Sequence, residues 1–216
     1  MDIDLVIPTM WKCPTFYNEM LESYSNNNNI RSILLINNNK NDTPKNLFLN
    51  SKIKIITPNE NIFVGPSWNI GAENCNSKII GILNDDLIID TSVFDFISGL
   101  NFDDIDIIGN DFYSNDVETN IKKFSHDKTK PLGEQCFGFG SCFFIKKEKY
   151  KNIPNDFTVL YTDDFLVHNC ENVFTIKSNK IRGLMCTTVN TIWNEDYFQK
   201  IIKKDCENGL RLLNRI

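Results

Sequence analysis

The sequence contains no Cys-x-x-Cys pair. Its seven cysteines, Cys13, Cys75, Cys136, Cys142, Cys170, Cys186 and Cys206, are odd in number and widely spaced. That pattern supplies neither a zinc-site spacing nor a disulfide framework, and it reads as reduced thiols in a cytoplasmic compartment. No window of about 18 apolar residues exists, so no membrane span is expected. The opening Met1-Asp2-Ile3-Asp4 is acidic and brief before its apolar run and does not read as a signal peptide. Basic residues are not in excess either. With 23 Lys and Arg against 28 Asp and Glu, the net charge is -5, which argues against a general nucleic-acid binder. Internal repeats, linkers and low-complexity tails are also missing, so one domain over 1–216 is expected, with room for a sizeable core. The abundance of Asn, Ile and Lys suggests an AT-rich genome, that of a virus or a low-GC microbe; a viral chain would act in the host cytoplasm.

What is present centres on Lys78-Ile79-Ile80-Gly81-Ile82-Leu83-Asn84-Asp85-Asp86. An apolar run of this length, bounded by polar turns, reads as a strand buried on both faces of a parallel sheet. It delivers Asn84, Asp85 and Asp86 to its carboxyl end, where open α/β sheets place their ligands. Two adjacent carboxylates there repel unless a cation accompanies them, and a hard divalent ion with a phosphate suits oxygen ligands. A turn with solvated acids is the plainer alternative.

Around this strand the chain alternates. Asp4-Leu5-Val6-Ile7, Ile33-Leu34-Leu35-Ile36 and Ile53-Lys54-Ile55-Ile56 read as strands. Helices are expected over Thr15–Tyr24, from Gly65-Pro66-Ser67 through Ala72, and over Val93–Leu100. The result is an α/β class with a mostly parallel central sheet and flanking helices. Further on, Ile105–Gly109 reads as a strand. The polar segment Asn110–Lys130 reads as irregular, either a hairpin or a mobile functional loop; as a loop it is expected to close over donor or acceptor, with its His126 solvated. In Gln135–Ile145, small and aromatic residues alternate before an apolar run, and the two glycines allow close approach. Thr162 reads as the N-cap of a helix whose first turn holds Asp163 and Asp164, where the helix dipole favours their anions. Short strands are expected at Phe174–Lys177 and Gly183–Thr188. An amphipathic helix over Asn194–Leu213 closes the chain, with Tyr197, Ile201, Ile202 and Leu210 on its buried side.

The ordered set Val6-Ile7-Pro8-Thr9, Ile36-Asn37-Asn38-Asn39, Asn61 to Gly71, Leu83 to Asp86, Phe139-Gly140-Ser141 and Thr162-Asp163-Asp164 resembles inverting GT-A glycosyltransferases, family 2 in particular. The likeness covers roughly residues 2–170, and small viral and phage members are similar in length. It implies a single GT-A-like domain: a nucleotide-sugar donor half over 1–100, then an acceptor half and C-terminal helix over 101–216. It further implies a nucleotide-diphospho-sugar donor, UDP-linked by preference, a glycan or glycoprotein acceptor, and Mn²⁺ or Mg²⁺ as cofactor. By that resemblance Asp86 is the metal ligand. Pro8, Thr9, Asn37, Asn38, Asn61, Gly65, Asn69, Asn84 and Asp85 line the donor, Asp164 is the catalytic base, and Asp163 is its acidic neighbour. Phe139-Gly140-Ser141 corresponds to an acceptor-side strand.

The chemistry needs such groups. The diphosphate leaving group must be neutralised, and an acceptor hydroxyl must lose its proton to a base as it attacks the anomeric carbon. There are departures from the family pattern. Asn37 and Asn84 replace acidic residues, Trp68 stands where Arg or Lys is common near the phosphates, and no C-terminal His ligand is evident. A histidine already satisfied by its surroundings is the expected state of His168. Two other readings stay open: a non-catalytic sugar- or protein-binding module on the same fold, and a nucleotidyltransferase. The latter usually needs a glycine-rich loop after the first strand, and Pro8-Thr9-Met10-Trp11-Lys12 has no glycine.

Overall fold

The computed structural model describes residues 1–113, 116–184 and 193–213. Strand β1 (Ile3–Thr9) sends Ile3, Leu5 and Ile7 into one core cluster and Val6 into another on its opposite face, the period-2 alternation of an extended chain. It pairs in parallel with β2 (Ile30–Asn37) on one side and β4 (Ile79–Leu83) on the other, and β3 (Ile53–Ile56) lies beyond β2. All five residues of β4 are buried, which is why its sequence is apolar without a break.

Past β4 the sheet continues with β8 (Cys142–Lys146), antiparallel to β4, then β6 (Ile107–Asn110), β9 (Val173–Lys177) and β7 (Asn120–Lys123). The eight-stranded order is β3-β2-β1-β4-β8-β6-β9-β7. A separate antiparallel ribbon joins β5 (Leu87–Ile89) to β10 (Ile181–Gly183). One core, on one face of the sheet, takes in a π-helical turn (Phe16–Met20), α1 (Leu21–Asn26) and α3 (Ser92–Gly99). The other core takes in α2 (Val64–Asn74), α4 (Leu132–Gln135) and α5 (Thr162–His168). Helix α6 (Asp196–Leu213) adds Leu212 to that second face. Among the described residues no helix is long and apolar enough to cross a membrane.

Several expectations change. Asn110–Lys130 is not simply irregular: its Asn120–Lys123 portion is an edge strand of the main sheet, paired with β9. Only Ile121 of that strand is partly buried, so its polar sequence carries no strand period. Phe139–Ser141 forms a 3-10 turn rather than a strand, reached through Gly138 at φ 88°. Thr162 is the first helical residue; the cap position is Tyr161, in a left-handed conformation and without a side-chain cap. The buried stripe of α6 is Phe198, Ile202, Asp205, Gly209 and Leu213, while Tyr197 and Leu210 are about half exposed. A buried Asp and a Gly within that stripe hid it from hydrophobic periodicity. Of the strand expected at Gly183–Thr188, residues 185–188 lie outside the described residues, as does Cys186.

Candidate functional site

The chain runs from β1 outward to β2 and β3, then returns to place β4 on the other side of β1. This reversal opens a crevice at the carboxyl ends of β1 and β4. Thr9, buried, ends β1; Asn84, Asp85 and Asp86 follow β4 directly. The Thr9 hydroxyl donates to Asp85 Oδ2 at 2.6 Å and accepts from the Trp11 N–H at 2.9 Å. Burial pushes the Asp85 carboxyl up to about 6, with the Asp86 charge adding to it against the lowering hydrogen bond from Thr9. Asp86 is buried and is likewise raised by burial. No ion pair to either carboxylate exists among the described residues. Asn84 is exposed at the tip, and its N–H donates to Ser141 O at 2.8 Å.

That last bond connects the end of β4 to the turn that precedes β8. Ser141 belongs to the 3-10 turn, whose middle residue is Gly140. A Cβ on Gly140 would lie 2.4 Å from Asp163 Oδ2, so only glycine lets the carboxylate rest against the turn. Asp163 retains some exposure, whereas Asp164 is buried and its Oδ1 accepts from the Leu132 N–H at 2.7 Å. Burial raises both acids. Asp164 reaches about 7, with the neighbouring Asp163 charge contributing second. Desolvation therefore overrides the helix N-terminus, which sequence reasoning expected to favour the anions.

Other anticipated residues have engaged side chains. Asn37 Oδ1 accepts from Trp11 Nε1 and the Asn39 N–H, and its Nδ2 donates to Thr43 and Thr57. Asn38 accepts from the Ile62 N–H and donates to Ser67 Oγ, tying β2 to the start of α2. Asn61 Oδ1 accepts from the Phe63 N–H at 2.9 Å. Asn69 binds both the N–H and the C=O of Ile153 and accepts from the Tyr150 hydroxyl. Gly71 of the same helix is glycine because a Cβ would sit 2.1 Å from Val6. Gly65 has the same kind of reason: its Cβ would meet Phe157 O at 2.5 Å. Pro8 occupies β1 opposite Ile36. Trp68 packs edge-on against Phe143 in the core, away from any phosphate role. His168 is hydrogen-bonded through both ring nitrogens, to Asp164 O and Lys128 O. His126 is not solvated; its ring nitrogens are buried and its ring stacks on Phe124.

Sequence reasoning missed one device. Asp205, wholly buried on α6, accepts the N–H groups of Thr158, Val159 and Leu160 at 2.6–3.0 Å. Thr158 O in turn accepts from Val64 and Gly65 at the start of α2, and Gly209 of α6 lies against the Tyr161 ring. Helix α6 thus sets the loop that presents Asp163 and Asp164. The positive-φ residues other than glycine in the described chain are Trp11, Phe63 and Tyr161. They lie in the loops after β1, before α2 and before α5, all at this one edge. Such strain, about 1–3 kcal/mol per residue, persists where surrounding structure enforces it and concentrates at functional sites.

No protein-family model matches the chain, and no curated protein matches it by sequence. Solved structures do share its fold. HddC from Yersinia pseudotuberculosis is 15% identical, with TM-score 0.57 over 94% of this chain and 99% of that one. Staphylococcus aureus TarS 1-349 in complex with UDP is 11% identical, with TM-score 0.58 over 84% of this chain and 59% of that one. The mannosyltransferase PcManGT from Pyrobaculum calidifontis, in complex with GDP-Man and Mn²⁺, is 9% identical, with TM-score 0.54 over 79% and 53%. The fold is GT-A-like. This chain spans little more than half of the TarS and PcManGT chains, and at these identities the likeness concerns architecture alone.

Proposed function

We propose that this chain is a metal-dependent, inverting glycosyltransferase. In this reading it moves a sugar from a nucleotide-diphospho-sugar, UDP-linked by preference, to a hydroxyl of a glycan or glycoprotein acceptor. Residues 1–100 form the donor half and 101–216 the acceptor half of one domain. The observation that carries the reading is the joining of two acidic pairs at one sheet edge through the Asn84–Ser141 bond and the Gly140–Asp163 contact. Neighbours with this fold are complexed with UDP, UDP-GlcNAc, or GDP-Man and Mn²⁺, which supports a nucleotide-sugar donor.

The donor set fits Mn²⁺ or Mg²⁺. Asp85 and Asp86 offer only carboxylate oxygens and carry no ion pair, and among the described residues no group of three or more His, Cys, Asp or Glu could enclose a metal. One or two carboxylates completed by substrate phosphates and waters is the arrangement Mg²⁺ commonly takes. Asp86 would hold the ion, with Thr9 fixing Asp85 beside it; when bound, the ion neutralises the diphosphate leaving group as a Lewis acid. On the acceptor side, the acid pair takes the hydroxyl proton as the oxygen bonds to the anomeric carbon and the bond to the diphosphate breaks. Asp163 rests against Gly140 in the turn bonded to the end of β4, so we assign it the proton contact in place of Asp164, whose Oδ1 accepts from the Leu132 N–H. Asp164, tied to Leu132, raises the basicity of the pair.

Nucleotidyl transfer is favoured less. The loop after β1, Pro8 to Lys12, has no glycine, and its Trp11 N–H is taken up by the Thr9 hydroxyl. The test is thermal unfolding with UDP, GDP, CDP or dTDP, each with and without Mn²⁺, on the wild type and Asp86→Ala. One nucleotide is expected to stabilise the wild type only with metal, by about 2.7 kcal/mol at a hundredfold excess over its dissociation constant, and to lose that effect in Asp86→Ala. No shift with any nucleotide overturns the reading.

A further inference from the structure

Beyond the acid pairs, the same sheet edge carries an exposed aromatic pair. Tyr113 is 78% exposed and Phe137 47%, and their ring centroids lie 5.5 Å apart with planes inclined at 40°. Neither ring is a loose surface residue. The Tyr113 N–H donates to Asp111 Oδ1 at 3.0 Å, and Asp111 is ion-paired to Lys177 of β9. Phe137 is fixed from below: the Phe112 N–H donates to Phe137 O at 2.9 Å, and the Phe112 and Phe137 rings lie 5.8 Å apart. Gly138, at φ 88°, is glycine because a Cβ there would meet the Phe112 ring at 2.1 Å. The backbone has therefore been shaped to bring Phe112 under the pair.

Position links this platform to the acid pair. Phe137 is three residues before Gly140, against which Asp163 rests, so their Cα atoms are within roughly 11 Å of each other. Asp111 is buried and engaged by the Tyr113 N–H and Lys177, so it anchors the turn and the two rings supply the contact surface. A pyranose ring offers the complement, an apolar C–H face for the electron-rich ring faces. A helix or strand of a protein partner would need a longer apolar groove than two rings provide.

We infer that Tyr113 and Phe137 form an acceptor subsite that stacks a pyranose of a glycan whose terminal hydroxyl reaches Asp163. The inference rests on the glycosyltransferase reading for its orientation, but its binding test is independent of that reading. The probes are maltose, cellobiose, lactose and chitobiose at millimolar concentration, observed by saturation-transfer NMR on the full chain. At least one disaccharide is expected to show transfer to its C–H protons. That transfer should be lost in Tyr113→Ala/Phe137→Ala and kept in Phe137→Trp, with wild-type thermal unfolding in both variants. Absence of transfer from all four sugars overturns the subsite, as does unchanged transfer in the double variant. Sugar binding that follows the platform while no nucleotide binds would uphold the subsite and refute the transferase reading. Nucleotide binding with no sugar on the platform would do the reverse.

Discussion

Replacing Asp164 by Asn should stabilise this protein while impairing it, and the gain should depend on pH. Asp164 is buried against α4, and burial together with the Asp163 charge raises its carboxyl from 3.8 to about 7. The native state then holds a proton that the unfolded chain releases from about pH 4 upward. Between those two values the native state binds more protons, so stability falls as pH rises, and it levels off above about 7. At roughly 1.4 kcal/mol per pH unit, the full cost reaches about 4 kcal/mol, and roughly 2–3 kcal/mol of it accrues between pH 5 and pH 8. Asn keeps the Oδ1 that accepts from the Leu132 N–H but does not ionise. Urea unfolding of both proteins at pH 5, 6, 7 and 8 should therefore show the stability of Asp164→Asn over wild type widening by that amount. Transfer activity of the wild type should rise through the same interval, as the pair becomes able to take a proton. A stability difference constant across the four pH values would refute the argument, because it would mean that the carboxyl is not protonated in the folded state.

Gly140→Ala places a methyl 2.4 Å from Asp163 Oδ2; transfer should fall at least tenfold, with metal-dependent nucleotide stabilisation unchanged. Loss of both together would show that the turn serves the whole fold rather than the acid pair. Asp163→Asn should lower transfer by about 10²–10⁴-fold, whereas Asp164→Asn should shift the pH profile of the remaining activity to lower pH, which a rate-versus-pH series will check. Asp205→Ala leaves the N–H groups of residues 158–160 without their acceptor. At about 1–3 kcal/mol for a buried unsatisfied group, the loss should exceed 2 kcal/mol in denaturant unfolding. A loss under 1 kcal/mol would mean that water replaces the carboxylate without cost.

Local sequence was enough for what depends on nearest neighbours along the chain. The unbroken apolar run of β4 announced a strand buried on both faces, and the alternation of strands and helices announced a largely parallel sheet. The position of Asp85 and Asp86 at a strand end needed only the end of the apolar run. Asp163 and Asp164 were legible as the first turn of a helix, but their charge state was not. An isolated helix start favours the anion; burial in the folded protein raises both carboxyls even though the N–H groups of Leu132 and Gly140 favour the charged form.

The same limit explains the other differences. Asn69 and Gly71 stand out as a motif in the sequence, yet what Asn69 binds is Ile153, 84 positions away, and what Gly71 admits is Val6 of β1. Nothing local marks Asp205 among the charges of its amphipathic helix; its role comes from the loop of residues 158–160 whose N–H groups it accepts. The β7 strand exists because β9 offers an open edge, a partner more than 50 residues distant in sequence. The sequence by itself determined the apolar strands such as β1, β2 and β4 and the acids at the end of β4, since backbone preference and hydrophobic period are local properties. Only the tertiary structure decided which carboxylates lose water, which glycines must be glycine and which helix steadies the site, because desolvation and close contact arise between segments far apart in the chain.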